Sequence, residues 1–406
     1  MGPLSYYLSS KDKASRDGIE ILRRSANEYF MAMRDRFIDP SNLTQKTCPR
    51  SESSAFESQV HPPLQRLPKS RPAATSSVIE DLIERAGGCA VIDGGLATQL
   101  ENHGGVFDET LWSARCLITE PHLIKQVHLE YLEAGADVLV TSSYQATIPG
   151  FLSKGLSIEE GELLLAKSVK LAIEARDQFW ELIQTLPNHT YNHALVAASI
   201  GSYGAYLADS SEYSGHYGPG VDLEKLKDFH RRRLQVLVEA GPDLLAFETI
   251  PNKLEAQALV ELLNEESVQI PSWVCFSSVD GEHASSGESF KDCLDILNKS
   301  DKVSVVGINC APPHFVDSLI CKFKKLTHKP IAVYPNSGEI WDGKAKRWLP
   351  SSCFDDGNFE ASVKRWREAG ASLIGGCCRT TPSTIQAISK ALKGKSGVHY
   401  IYENKY

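Results

Sequence analysis

Residues 373–382 read LIGGCCRTTP, a stretch that passes directly from an apolar strand to the start of a helix. The apolar start is typical of a buried strand, and Thr381 followed by Pro382 is typical of a helix N-cap and first helical position. Cys377 and Cys378 lie at the junction. This strand-to-helix unit is the repeating element that predicts the rest of the fold.

The same unit recurs from about residue 77 onward, where short β-branched runs alternate with segments of helical, 3.6-residue apolar period. The phrases around Gly135, Gly241 and Gly370 are similar, and each glycine is predicted to end a helix just before a strand. Eight strand–helix units over roughly 310 residues predict an α/β fold of the (β/α)8 TIM barrel type rather than an open sheet. The predicted strands are 89–93, 137–142, 195–200, 244–249, 273–277, 303–310, 331–334 and 373–377.

The chain divides into three predicted regions. Residues 1–76 form an N-terminal extension whose Ser-rich and Pro-rich runs predict disorder, with one short amphipathic helix predicted at about 14–37. Residues 77–393 form the predicted barrel domain, and 394–406 form a C-terminal tail. Acidic residues in the extension argue against an organellar transit peptide, although organellar targeting stays open as the alternative to a cytoplasmic location.

Composition excludes several classes of protein. The chain has 406 residues, 42% of them hydrophobic, so it is long and apolar enough to form a full hydrophobic core. Its net charge of -8 does not indicate a nucleic-acid-binding surface. No uninterrupted stretch approaches the roughly 20 apolar residues of a membrane span. Ten cysteines in a chain of this length do not indicate a disulfide scaffold, and a reducing compartment is expected. The sequence does not indicate an oligomeric state.

Three cysteines follow predicted strands, and their positions suggest a metal site. Cys310 ends the run 303–310, and Cys377 and Cys378 end the last strand. In a (β/α)8 barrel the carboxyl ends of all strands meet on one face, so the three thiols can converge there. Three thiolates with an open fourth position describe a catalytic zinc site that accepts a sulfur substrate.

Two blander interpretations of the cysteines stand beside the metal site. A vicinal redox disulfide between Cys377 and Cys378 is disfavoured because disulfide geometry between chain neighbours is strained. Free cysteine is also commonly a small buried hydrophobe. Burial is the interpretation for the five cysteines Cys89, Cys116, Cys275, Cys293 and Cys321.

Polar residues at other strand ends suggest recognition of an amino acid. Asp93 and Glu248 each follow an apolar run, and they are expected either to bind an ammonium group or to cap a helix or pair with a base. Gly94 allows close approach of the backbone to a ligand. Thr380 and Thr381 offer hydroxyls and amides for a carboxylate. The segment 334–342 is predicted as a loop, whose aromatic residues either attract a sulfonium or form a surface turn.

Taken together, these motifs resemble those of the homocysteine S-methyltransferase family over about residues 77–393. The intervening sequence resembles the plant branch, which uses S-methylmethionine and includes relatives that methylate selenocysteine. The motifs that carry the resemblance are DGGLAT at 93–98, TSSYQA at 141–146, FETIP at 247–251, GINC at 307–310, YPNSGE at 334–339 and GGCCRTTP at 375–382.

The resemblance implies a zinc-dependent barrel in which homocysteine sulfur completes the metal shell. The implied zinc ligands, catalytic through the metal, are Cys310, Cys377 and Cys378, and the implied substrate contacts are Asp93, Gly94, Thr141 and Glu248. Betaine-using relatives carry a tyrosine after the matching glutamate that can occupy the fourth zinc position. Here that position is Thr249, so the resting fourth ligand stays open.

The function implied is direct transfer of a methyl group from S-methylmethionine to the thiol of homocysteine, giving two methionines. The substrates are then small molecules, with neither nucleic acid nor membrane as partner. Selenocysteine as acceptor or S-adenosylmethionine as donor remains an alternative. A zinc-binding regulatory protein without catalysis is a more distant one.

Overall fold

A computed structural model of the chain describes residues 75–107, 110–186, 189–342, 347–349 and 356–394. Apart from residues 75, 76 and 394, the predicted N-terminal extension, its short helix and the C-terminal tail lie outside these ranges, so those interpretations remain predictions. Among the described helices, none combines the length and apolar character that a bilayer crossing requires.

Each of the eight predicted strands is present in the structure. The ladders at 89–93, 137–142 and 373–377 are shorter than predicted. A short antiparallel pair of strands at Ile340–Asp342 and Arg347–Leu349 was not predicted. Strands of three residues within a loop show too little alternation of apolar and polar residues to be recognised. The strands are β1 (Ala90–Val91), β2 (Val138–Val140), β3 (Leu195–Gly201), β4 (Leu244–Ile250), β5 (Ser272–Phe276), β6 (Val303–Asn309), β7 (Ile331–Tyr334), β8 (Ile340–Asp342), β9 (Arg347–Leu349) and β10 (Leu373–Ile374).

Helices follow the barrel strands along the chain, as the sequence pattern predicts. The described α-helices are α1 (Thr75–Arg85), α2 (Leu96–Asn102), α3 (Cys116–Thr119), α4 (Pro121–Glu133), α5 (Ile148–Ser153), α6 (Ile158–Ile183), α7 (Tyr203–Leu207), α8 (Leu223–Glu239), α9 (Lys253–Glu265), α10 (Phe290–Asn298), α11 (Val316–Leu326), α12 (Asp356–Ala369) and α13 (Pro382–Lys393). The predicted start of the last helix is confirmed, with Thr381 at the N-cap and Pro382 in the first turn.

The eight barrel strands form one parallel sheet that closes on itself. Their order is β1-β10-β7-β6-β5-β4-β3-β2. The two ends of this order meet, because Asp93 N donates to Val138 O at 3.0 Å and Asp137 N donates to Val91 O at 2.7 Å. The prediction of a (β/α)8 barrel is therefore confirmed.

Glycines at the helix-to-strand corners adopt the backbone conformation that the sequence phrases predict. Gly135, Gly241 and Gly370 have φ values of +99°, +82° and +117°. Residues with a Cβ rarely adopt this left-handed region, whereas glycine does so without a steric penalty. Each corner can therefore turn from a helix directly into the next strand.

The barrel interior is a packed core. Trp273 and Tyr334 lie inside it, fully or almost fully buried, and the Trp273 indole N–H donates to the Tyr334 hydroxyl at 3.1 Å. Ile79 and Leu82 of α1 pack against residues at the starts of the strands, so α1 closes the amino-terminal end of the barrel. This core leaves the opposite end, at the carboxyl ends of the strands, as the open face.

The cysteines predicted to be packing residues are buried in four of five cases. Cys89, Cys116, Cys275 and Cys293 are buried. Cys321 is exposed, so its predicted burial is wrong. It lies on α11, whose buried residues occupy other positions of the same helix.

We predict that Gly307→Ala destabilises the barrel. A Cβ at this position would lie 2.0 Å from Ala332 O, a main-chain atom of the neighbouring strand β7. Overpacking of this kind typically costs about 1–3 kcal/mol. Thermal unfolding followed by circular dichroism should show a midpoint several degrees lower, at roughly 2–4 °C per kcal/mol.

Gly220→Ala is the matched control, because a Cβ there would meet no atom within 4 Å. Equal midpoints for the two variants would contradict the close approach of β6 and β7.

Candidate active site

A cavity of about 120 Å³ lies at the carboxyl ends of the barrel strands. The three implied zinc ligands and the four implied substrate contacts all line it. The lining residues are Asp93, Gly94, Gly95, Leu96, Ala97, Thr98, Phe107, Trp112, Ser113, Val140, Thr141, Ser142, Tyr144, Glu212, Tyr213, Glu248, Thr249, Asn309, Cys310, Tyr334, Gly376, Cys377 and Cys378.

The three strand-end cysteines converge in this cavity. The sulfur atoms of Cys310, Cys377 and Cys378 all lie within 4.8 Å of one another. The sulfurs of Cys310 and Cys378 are 3.5 Å apart. At these distances, the three sulfur atoms could serve together as ligands of one metal ion.

Strand β7 lies between β6 and β10, and its end positions the cysteines. Tyr334 O accepts a hydrogen bond from Cys310 N at 3.1 Å, and Pro335 O accepts one from Cys377 N at 2.8 Å. Cys310 has a φ of +50°, which is uncommon for a residue with a side chain. The main chain of one central strand thus fixes thiols that are far apart in sequence.

The three thiols shift one another's pKa values. Hydrogen bonds from Cys377 and then Cys378 lower the pKa of Cys310 well below that of a free thiol, whereas the hydrogen bonds to Cys310 raise the pKa of the other two. Thiolates are soft ligands, and a set of three suits a thiophilic ion such as zinc. The donor set therefore fits the kind of metal that the sequence predicts.

Two buried carboxylates lie in the same cavity. Asp93 accepts a hydrogen bond from Val140 N at 2.9 Å, and Glu248 accepts one from the Ser199 hydroxyl. Burial raises the pKa of Asp93 well above its usual range and that of Glu248 to about 7. Neither forms an ion pair with a base among the residues that the structure describes. A cation that enters the cavity would favour their ionised forms and pair with them.

Thr141 and Gly94 complete the set of predicted substrate contacts. The Thr141 hydroxyl accepts a hydrogen bond from Ser199 N at 2.9 Å. A Cβ on Gly94 would lie 2.8 Å from the Tyr131 ring and 3.0 Å from the Thr380 hydroxyl, so only glycine fits here. The structure brings all four predicted residues to one cavity, while their contacts with substrate remain predictions.

The two threonines at the start of α13 have local structural roles. The Thr380 hydroxyl donates to Cys377 O at 2.7 Å and accepts from Gly95 N at 3.1 Å, so it fastens the cysteine loop to the glycine loop. Thr381 is partly exposed, and its hydroxyl lies 2.8 Å from that of Ser383. Neither threonine is among the residues that line the cavity, and their use as donors to a substrate carboxylate stays a prediction.

The loop after β3 supplies cavity residues that the sequence analysis missed. Glu212 and Tyr213 both line the cavity, and the Tyr213 hydroxyl lies 3.1 Å from the Cys310 sulfur. Thr249 follows Glu248 and forms two hydrogen bonds with Asn309. Its main-chain N–H donates to the Asn309 side-chain oxygen at 2.7 Å, and its hydroxyl accepts from the Asn309 amide nitrogen at 2.8 Å. The phrase Ser-Glu-Tyr at 211–213 is the available sequence signal, but its place in a long loop gives no indication of where it folds.

Comparison with known proteins agrees with this geometry. A family model described as homocysteine S-methyltransferase matches residues 90–392. Homocysteine S-methyltransferase 1 of Arabidopsis thaliana is 72% identical over 318 residues, covering 78% of this chain and 98% of the relative. Selenocysteine Se-methyltransferase of Brassica oleracea var. italica is 54% identical over 323 residues, covering 79% and 93%.

Solved structures lead to the same group. The metallated form of the homocysteine methyltransferase MmuM from Escherichia coli has a TM-score of 0.65 and 39% identity, covering 74% of this chain and 95% of that one. Its oxidised form has a TM-score of 0.66, also with 39% identity, covering 74% and 94%.

Fold and site together define a class of protein: a (β/α)8 barrel enzyme whose cavity joins three convergent thiols to buried carboxylates. Within that class, the chain belongs to the homocysteine S-methyltransferase family.

We predict that Cys310→Ser, Cys377→Ser and Cys378→Ser each weaken metal binding by more than about 100-fold, because each removes one of three soft ligands. Metal analysis of purified variants, combined with a chelator competition assay, measures the loss.

Cys321→Ser is the control for a general effect of losing a thiol, because Cys321 is exposed and outside the cavity. A cluster variant that holds metal as tightly as this control would exclude that cysteine from the ligand set.

Proposed function

We propose that the chain is a zinc-dependent enzyme that transfers a methyl group from S-methylmethionine to the thiol of L-homocysteine. The observation that carries the proposal is the cavity itself, which combines three thiols with two buried carboxylates that form no ion pair with any described residue. Zinc bound by the thiols would supply a Lewis acid that keeps the acceptor thiol deprotonated.

The carboxylates and the glycine loop give the acceptor its orientation in this proposal. Asp93 and Glu248 bind the ammonium group of homocysteine, since both are buried where an unpaired charge needs a counterion. Gly94 lets the main chain approach the bound amino acid, and Thr141 packs beside it. Fixing the amino-acid end aims the thiol at the cysteine cluster, and this positioning contributes much of the rate.

The proposed reaction is a single displacement. The homocysteine thiol releases its proton to solvent, and its sulfur forms a bond to the methyl carbon of S-methylmethionine. The bond from that carbon to the donor sulfur breaks, and its electron pair remains on the donor as a neutral thioether. Both products are methionine, and the positive charge of the sulfonium is cancelled by the thiolate.

Selenocysteine is the second acceptor to consider, because a relative of that name is 54% identical. The 72% identity to a relative named for homocysteine favours homocysteine. S-adenosylmethionine is the second donor, since it presents the same methylsulfonium group.

The direct test is product formation by zinc-loaded protein. We expect methionine from homocysteine and S-methylmethionine, and a higher kcat/KM for this pair than for any pairing with selenocysteine or S-adenosylmethionine. Treatment with a chelator should abolish turnover, and added zinc should restore it. Full activity in chelated, metal-free protein would contradict the proposed chemistry, and a preference for another pair would reassign the substrates.

Glu248→Gln should raise the KM for homocysteine by about tenfold to 100-fold, because a charged hydrogen bond contributes about 1.5–3 kcal/mol. The amide oxygen can still accept from the Ser199 hydroxyl, so the fold should be retained. Steady-state kinetics at saturating donor measures the effect.

Glu174→Gln is the matched control, since Glu174 is exposed on α6, away from the cavity lining, and forms a 3.5 Å ion pair with Lys125. An unchanged KM in Glu248→Gln would exclude Glu248 from acceptor binding.

A further inference from the structure

Glu212 is held rigidly above the cavity by its main chain. It lies in the short 3-10 helix Ser211–Tyr213, between α7 and α8. Its carbonyl oxygen accepts a hydrogen bond from the Ser277 hydroxyl at 2.8 Å. A Cβ on Gly204 would lie only 2.4 Å from Glu212 N, so α7 packs tightly against this turn. The position of the Glu212 main chain, from which the side chain reaches the cavity, is therefore set by the fold.

One carboxylate oxygen of Glu212 lacks a hydrogen-bond partner, although a hydrogen bond from its own main-chain N–H lowers the pKa of this group. Its Oε2 atom is buried and has no hydrogen-bond partner among the residues that the structure describes. Burial, followed by the nearby Cys310, raises the pKa of Glu212 to about 7. A buried polar atom without a partner is costly, and its presence calls for an explanation. A cationic ligand in the cavity provides one.

The cavity has enough carboxylates to pair with more than one cation. Three carboxylates line it, those of Asp93, Glu212 and Glu248, and none of the described lining residues is Lys, Arg or His. Asp93 and Glu248 extend from the ends of β1 and β4, whereas Glu212 belongs to the loop after β3. The strand-end pair suits the ammonium group of the acceptor. Glu212 is then left for the second substrate.

We propose that Glu212 binds the α-ammonium group of the methyl donor and thereby selects amino-acid sulfonium donors over sulfonium compounds that lack this group. The inference rests on the proposed methyl transfer. It gives Glu212 a role in binding the donor, because Asp93 and Glu248 already bind the ammonium group of the acceptor in that proposal.

The ammonium group is a better partner for Glu212 than the sulfonium group. The sulfonium loses its positive charge as the methyl group leaves, so a carboxylate beside it would stabilise the bound substrate more than the transition state. The ammonium keeps its charge throughout, and its contact strengthens binding without raising the barrier. Aromatic residues of the lining, Trp112, Tyr144 and Tyr213, offer ring faces that attract a sulfonium methyl group.

The test compares Glu212→Gln with the unmodified protein, using S-methylmethionine and its deaminated analogue 4-(dimethylsulfonio)butyrate. For S-methylmethionine we expect the donor KM of the variant to rise about tenfold to 100-fold, with kcat changed by less than about threefold. The KM for homocysteine should not change. The KM of the analogue, or its inhibition constant if it is not turned over, should be the same in both proteins.

Glu174→Gln serves again as the control, and Glu212→Asp should recover part of the donor affinity because it keeps the charge. Calorimetric titration of S-methylmethionine into zinc-loaded protein gives a readout independent of turnover. Circular dichroism and zinc content verify that each variant is folded and loaded.

An unchanged KM for S-methylmethionine, or equal losses for the donor and its analogue, would overturn the role of Glu212. If unmodified zinc-loaded protein forms no methionine with any sulfonium donor, the proposed function itself fails and the inference fails with it. The first pattern appears in an active enzyme and the second in an inactive one, so the two failures are distinct.

Discussion

The site depends on the hydrogen bonds that join the end of β7 to the chain after its two neighbouring strands, β6 and β10. Tyr334 O and Pro335 O accept from the main-chain amides of Cys310 and Cys377, which lie on opposite sides of β7. Because side chains alternate between faces, a one-residue slip in either register would turn a cysteine away from the cavity. Trp273 and Tyr334 fill the barrel just below, so the packed core also holds this register.

That core also makes the charged cavity tolerable. Asp93 and Glu248 are almost completely buried and have raised pKa values, which is the mark of carboxylates held where charge is unfavourable. Such residues lower stability unless a ligand or metal compensates for them, and they are expected mainly at functional sites. The extensive apolar core of the barrel outweighs this local cost, which leaves the cavity set up for cations before any substrate binds.

The sequence predicts those parts of the molecule that local patterns determine. The strands, the glycine corners at Gly135, Gly241 and Gly370, and the convergence of the three cysteines all follow from periodicity and from the rule that strand ends meet on one face. The β8–β9 pair, the exposure of Cys321 and the positions of Glu212 and Tyr213 do not. Each depends on how a loop or helix packs after the barrel has formed, and neighbouring residues in the sequence carry little information about that packing.

This difference corresponds to a division of labour within the site. The thiols and the carboxylates that we propose for the acceptor come from strand ends, whose positions the barrel fixes, whereas Glu212, proposed for the donor, comes from a βα loop. Loops of a (β/α)8 barrel can change without disturbing the strands, so donor selection can vary while the metal cluster and the acceptor contacts stay constant. The main chain of this loop is nevertheless anchored at Glu212 through contacts with Ser277 and Gly204. On our proposal, the charge that selects the donor lies on a loop whose main chain is already ordered, so binding an ammonium group would carry little entropic cost for ordering the loop.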